Sequence, residues 1–475
     1  MLRSTSYVAL ALLLPLFSCN GNTVTGGDFD GGSGTNDSSV ACTNLQCKIV
    51  DCRSKGKPST TLKGQVNIPA GNLPLYNATV YIPNTAVAPI VSGASCDRCS
   101  DVYSGDPIVS TTTDSSGRFT LSDVPVGNNI PVVIRLGKWR RQITVSTVSE
   151  CTDNPVDSAL TRLPRNQSEG DIPKIALATG GFDAIECLLR KIGIDDSEFT
   201  PESGTGRINL FAGHGGTSSY CTQGGAGGKC TKTLNGGAAF TVASDGAQAG
   251  WWSSLNNLKK YDTVLLSCEG NTYPAEKSAA AHQALLDYIN MGGRVFASHW
   301  HNIWISGGPA PLNSIATFTT VANGFEYKAP ITANLYTTTP KGNSFADWLL
   351  NVGGSASRGN LQIVNARDSV LTIDTTRTER FVYYTDPARG NKVAEQYFSF
   401  FAPIGAPAAS QCGRMVFTDM HISGNDAMTP NPALDLSAPT LPFPSGCVTN
   451  TLTAQETALL FLLFDLTNCV QPVIG

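Results

Sequence analysis

The chain has 475 residues, 15% of them charged, and a formal net charge of −4. That length exceeds one ordinary domain and predicts two or three. No run of Lys and Arg is larger than Arg140-Arg141, so the basic field that nucleic acid needs is missing and nucleic-acid partners are excluded.

At the N-terminus Arg3 supplies a positive start, and residues 8–14 form an apolar run too short to span a bilayer. Leu16-Phe17-Ser18-Cys19 then resembles a bacterial lipobox. The resemblance implies a signal peptide over residues 1–19 and lipidation of Cys19, which makes the membrane a partner through the lipid anchor. Asn20 behind the cysteine implies, on the same resemblance, the outer membrane. An ordinary secretory peptide that happens to contain a cysteine is the alternative. Residues 20–40 are rich in Gly, Asn, Asp and Ser and cannot bury enough surface to offset chain entropy, so residues 20–61 are expected as a tether with a Cys-rich end. The expected location is the cell envelope, periplasmic or surface-exposed. No later segment is long and apolar enough to cross a membrane; residues 461–466 are expected in a short amphipathic helix.

There are 14 cysteines. Apart from Cys19, six precede residue 152 (Cys42, Cys47, Cys52, Cys96, Cys99, Cys151) and seven follow: Cys187, Cys221, Cys230, Cys268, Cys412, Cys447 and Cys469. Disulfides persist in exported proteins, and pairing within domains leaves one thiol of the second set over. Cys221 and Cys230, which flank a Gly-rich loop, are expected to pair, and Cys268 is expected to be free. Cys96-Asp97-Arg98-Cys99 could hold zinc, but a disulfide role is favoured because no matching second pair is present.

Residues 62–145 alternate apolar and polar residues in short bursts. They predict strands over 62–68, 78–82, 108–113, 118–121, 130–136 and 141–145, with Asp114-Ser115-Ser116-Gly117 as a turn. Short strands at this spacing argue for a β-sandwich. Residues 62–150 also resemble the carboxypeptidase regulatory-like (transthyretin-like) domain. The resemblance rests on Gly64 and Val66, Pro74-Leu75 with Ala78 and Val80, Thr113-Asp114 with Gly117 and Phe119, and Val124-Pro125 with Gly127. It implies a non-catalytic spacer or stability element.

From residue 172 the period changes. Strands are predicted at 174–179, 209–211, 263–267, 294–297 and 414–418, with helices at 184–192, 253–260, 275–291 and 453–466. Thr453 with Glu456 is a capping box for the last helix. Residues 302–409 are less regular, with a helix near 344–351 and strands near 381–384 and 396–401, and read as an insertion. The β/α alternation predicts an α/β unit, an open and mainly parallel sheet with helices on both faces. Tyr261-Asp262-Thr263-Val264-Leu265-Leu266, followed by a helix and Gly292-Gly293-Arg294-Val295-Phe296-Ala297-Ser298-His299, resembles the class I glutamine amidotransferase-like fold, and within it the ThuA-like group. Residues 172–475 are therefore expected to take that fold, and the domain order resembles that of bacterial envelope lipoproteins. A glutaminase needs Gly-x-Cys-x-Gly at the turn, and this chain has Ala297-Ser298-His299-Trp300 there, so glutaminase chemistry is not implied.

Four of the five histidines lie just past predicted strands: His214, His299, His301 and His421. Strand ends are where open α/β sheets hold ligands, and imidazole suits both proton transfer and metal binding. His299, His301, His421 and Glu269 make a nitrogen/oxygen set that admits a divalent metal. Without metal, Ser298 or Cys268 is the candidate nucleophile, a histidine the base, and Glu269 or Asp419 the orienting group. His214 is an outlying member in a Gly-rich loop, and His282 has no assigned role. Three functions remain open: a surface-anchored hydrolase-like enzyme; a binding module for a small-molecule, sugar or peptide ligand, using Trp251, Trp252, Trp300, Trp304 and Tyr327; and a structural envelope protein.

Overall fold

In the computed structural model the described residues are 42–214, 219–221, 230–233, 251–320, 324–422 and 451–470, with backbone alone described at 219–221 and 230–233. The lipobox, residues 20–41 of the expected tether and Cys447 lie outside them; residues 42–61 are described, and Cys52 is buried and bonded to Cys151. Residues 43–475 form one compact unit.

The first strands are β1 (Thr61–Gln65), β2 (Thr79–Pro83), β3 (Pro107–Thr112), β4 (Arg118–Ser122), β5 (Gly127–Leu136), β6 (Trp139–Val148) and β7 (Asp153–Pro155). They make a three-stranded sheet, β4-β1-β7, and a four-stranded sheet, β3-β2-β5-β6. Alternate side chains face the space between the layers: Leu62, Phe119 and Leu121 of the first share one core with Val80, Ile82, Val132 and Ile134 of the second. At the β3–β4 turn Gly117 takes φ +69°, while Asp114 Oδ1 accepts from the main-chain N–H of Ser116 and of Arg118.

The remaining elements are β8 (Ile175–Ala178), α1 (Ile185–Lys191), β9 (Phe199–Pro201), β10 (Ile208–Phe211), β11 (Ser219–Cys221), β12 (Cys230–Thr233), α2 (Leu255–Leu258), β13 (Thr263–Leu266), α3 (Ala279–Asn290), β14 (Arg294–Ser298) and α4 (Ile303–Ser306). They continue with β15 (Ala316–Phe318), β16 (Phe325–Glu326), β17 (Ile331–Leu335), α5 (Pro340–Asn351), β18 (Asn360–Ile363), β19 (Arg367–Asp368), β20 (Val370–Ile373), β21 (Glu379–Asp386), β22 (Lys392–Ala402), β23 (Gly413–Thr418) and α6 (Ala454–Thr467). Ten strands form one mixed sheet in the order β18-β17-β21-β22-β23-β14-β13-β8-β10-β9. The six from β23 to β9 run parallel; the other four are antiparallel and come from the inserted segment.

The parallel strands are buried on both faces, as continuous apolar runs require. Ile175 and Leu177 pack on one side with α1 and α6, whereas Ala176 and Ala178 pack on the other with α2 and α3. α6 begins with the expected capping box, Thr453 with Glu456. It is not amphipathic: residues on every side are buried, because it is wedged between the ten-stranded sheet and the N-terminal sheets. There Phe461 stacks on Tyr76 and Phe464 meets Trp139 edge-on.

Disulfides join these layers. Cys52–Cys151 closes within the N-terminal sheets, but Cys96–Cys412 and Cys99–Cys469 tie them to β23 and to the segment after α6. Pairing therefore does not stay within domains, because residues 93–99 lie against the ten-stranded sheet and the segment after α6: the N–H of Gly93 donates to Asp262, the N–H of Cys99 donates to the carbonyl of Val470, and the N–H of Val470 donates to the carbonyl of Asp97. This also assigns Cys96 and Cys99 to disulfides. Cys42, Cys47 and Cys187 are disulfide-bonded too. Cys221 and Cys230 are cross-strand register partners of β11 and β12, and their side chains lie outside the described atoms.

Candidate functional site

The chain leaves β8 toward β10 and β9 on one side, and β13 lies on the other. Strand order thus reverses between β8 and β13, the position at which open α/β sheets hold their ligands. Asp183 follows β8, Cys268 follows β13, Ser298 ends β14 with His299 next, and His421 follows β23. Gly180 permits the close approach of the β8 and β13 loops, since a Cβ there would lie 2.3 Å from the carbonyl oxygen of Cys268.

His299 sits at the turn from β14 into a short 3-10 helix with φ +38°, a left-handed backbone that a side chain adopts only under constraint. Its Nδ1 lies 3.6 Å from Cys268 Sγ and its ring meets that of His421 edge-on. His299 Nε2 is buried without a hydrogen-bond partner. His421 donates through Nδ1 to Asp183 Oδ1 at 3.1 Å, and Asp183 also accepts from Ser298 Oγ and from the N–H of Ile422. These five residues form one connected group, and each is buried.

Burial, and after it the neighbouring His421 ring, holds His299 far below the usual imidazole range. Burial and the Asp183 charge push the Cys268 thiol well up, against main-chain donors from Trp300 and Gly270. Cys268 is the free thiol among the described cysteines. One ligand atom each from Cys268, His299 and His421 lies within 4.8 Å of the others, a geometry that could hold a metal ion.

The other expected residues are committed elsewhere. Glu269 faces Lys277 Nζ at 2.7 Å in a fully buried pair and accepts from the N–H of His214. Burial acts against the Glu269 carboxylate, but the His301 ring and the Lys277 cation outweigh it, so its pKa is lowered. His301 uses both nitrogens: Nε2 donates to the carbonyl of Ser267 at 2.9 Å, and Nδ1 accepts from Trp304 Nε1 at 3.0 Å. Burial depresses it to about 4. His301 Nε2 is 3.9 Å from Glu269, so these two adjoin each other rather than the Cys268 group. The Ser298 hydroxyl points at Asp183 rather than at an imidazole. Asp419 accepts from the N–H and hydroxyl of Ser369, and burial raises it to about 6. His214 stacks on Tyr273 and pairs with Glu276. Trp251, Trp252, Trp304 and Tyr327 are core residues, not cleft walls.

Sequence reasoning missed Asp183. The signal was available: a carboxylate three residues past Gly180, at the end of a buried strand, lies where the crevice rule places ligand-facing groups.

No family model and no curated protein matches the chain. Two solved structures of mutant type II cohesin–X-dockerin complexes from Acetivibrio cellulolyticus are similar at 19% identity. One covers 31% of this chain and 79% of that one with TM-score 0.16. The other covers 29% and 85% with TM-score 0.17. A 9R-lipoxygenase from Cyanothece matches at 17% identity over 21% of this chain and 16% of that one, TM-score 0.12. Scores this low define neither a shared fold nor a shared activity.

Proposed function

We propose that this chain works in the bacterial cell envelope, anchored to the outer membrane by lipid at Cys19, and that its α/β unit carries a hydrolase-type centre. In this reading residues 62–150 are a carboxypeptidase regulatory-like spacer and residues 172–475 a ThuA-like member of the class I glutamine amidotransferase-like fold. The observation that carries the site is the convergence of Asp183, Cys268, His299 and His421 from four strand ends beside the reversal of strand order. The Asp183 carboxylate orients His421 and fixes the tautomer whose Nε2 lone pair is available, the form of an imidazole that takes a proton or ligates an ion. The cross-sheet disulfides suit an oxidising compartment.

A panel of ester, amide and glycoside substrates tests the centre. Removing an imidazole that moves the proton or holds the ion should cost at least about 100-fold, so His421→Ala should lose that factor while His282→Ala does not. Radiolabelled palmitate incorporated by the wild type and lost in Cys19→Ser tests the anchor. A second reading, non-catalytic binding of a sugar or peptide, is favoured by a cavity of about 680 Å³ in the inserted segment. Tyr336, Phe401, Arg377 and Arg380 line it, and its volume falls within the usual range for ligand sites. Ligand-dependent quenching that is lost in Tyr336→Ala, with no turnover in the panel, would select that reading.

A further inference from the structure

We infer that Cys268, His299 and His421 form a binding site for a borderline-soft divalent cation of the zinc type, with Asp183 as the group that orients His421. The inference rests on the same centre being functional and names its cofactor.

The donor set is the first argument. Thiolate sulfur and imidazole nitrogen are donor types that zinc accepts, and three of them leave one of its four positions open, whereas a hard cation such as Mg²⁺ or Ca²⁺ would select oxygen instead. Spacing is the second. Zinc bonds of about 2.3 Å to sulfur and about 2.0 Å to nitrogen, set tetrahedrally, put the two ligand atoms roughly 3.6 Å apart. Cys268 Sγ and His299 Nδ1 are 3.6 Å apart, and all three ligand atoms lie within 4.8 Å of one another.

The surroundings supply the third argument. A metal-binding histidine ordinarily donates its other ring nitrogen to a carboxylate. His421 does so through Nδ1 to Asp183 Oδ1, which leaves Nε2 for the ion, and Asp183 is fixed in turn by Ser298 and Ile422. His299 offers Nδ1 to the ion, and its Nε2 is buried with no partner, so the oriented ring of the pair is that of His421. Cys268 has stayed a free thiol, although nine other cysteines, Cys187 and Cys412 among them, are disulfide-bonded. Binding displaces the thiol proton, and the cation then neutralises a thiolate that the dry site otherwise disfavours.

Elemental analysis of the purified full chain, loaded with Zn²⁺ and dialysed, should find one zinc per chain. X-ray absorption at the zinc edge should show one sulfur near 2.3 Å and nitrogens near 2.0–2.1 Å. This needs no variant, so a misfolded mutant cannot obscure it. Cobalt in place of zinc should give a thiolate charge-transfer band that disappears in Cys268→Ser. Asp183→Asn should weaken zinc binding by about 10–100-fold, and His301→Gln should not. Less than stoichiometric metal, or a shell of nitrogen and oxygen only, overturns the inference. Full zinc loading without turnover in the substrate panel would uphold the site and end the hydrolase reading; turnover unaffected by chelator would do the reverse.

Discussion

Asp183 and His421, 238 residues apart in sequence, meet at 3.1 Å, and the same carboxylate oxygen also takes the N–H of Ile422 at 2.9 Å. One side chain from the end of β8 therefore holds both the ring and the backbone beyond β23. Asp183→Ala strands three buried donors, from His421, Ile422 and Ser298. A loss of about 2–4 kcal/mol is expected in urea denaturation, with a smaller loss in Asp183→Asn. Unchanged midpoints in both would mean that the group is not connected as described.

Lys277 and Glu269 make a fully buried pair beside His301. Lys277→Met leaves a carboxylate alone in the core and should cost about 3–5 kcal/mol. Adding Glu269→Leu should recover most of it, because the penalty comes from the stranded charge rather than from the missing attraction. Two losses that simply add in the double variant would refute this.

Glu186 is buried with neither carboxylate oxygen hydrogen-bonded, and burial raises its pKa from 4.5 to about 8. Between those pH values the folded chain keeps a proton that the unfolded chain loses. Its contribution to stability is whole below pH 4.5, falls as pH rises, and is gone above about 8. A displacement of that size corresponds to at most about 5 kcal/mol. Glu186→Gln should flatten the decline, gaining on the wild type at pH 9 and little at pH 4. Parallel stability–pH curves for the two proteins would contradict it.

The cross-sheet disulfides make a further prediction. Cys96→Ser with Cys412→Ser opens one of two adjacent links; with Cys99–Cys469 intact, the loop it closes runs through that bond and is far shorter than the 316-residue separation, so the loop-entropy argument gives about 4 kcal/mol. Thermal melts of this double variant beside the wild type, both oxidised, measure the difference.

Local pattern made much of the fold legible. Apolar runs at 174–179, 263–267 and 294–297 predict β8, β13 and β14, and Asp114–Gly117 gives its turn. Glu456 three residues past Thr453 marks the start of α6. What escaped depends on long-range placement. The inserted strands β17, β18, β21 and β22 extend the same sheet, which their mixed Thr, Asn and Arg content does not announce. The cysteine pairing could not be read because residues 93–99 lie against β13 and β23. At the site, strand-end position singled out His299, His421 and Cys268. It could not show that Lys277 occupies Glu269 or that Trp304 occupies His301.

The bonds from Cys96 and Cys99 to Cys412 and Cys469 also set an order of assembly. A polypeptide delivered N-terminus first presents Cys99 long before its mate, 370 residues later, arrives. Through that interval the early thiols meet nearer candidates, Cys52 and Cys151 among them, so wrong pairings must be undone before the right ones close. A thiol-exchange catalyst should therefore speed maturation, and a chain interrupted before Cys469 cannot complete its covalent frame.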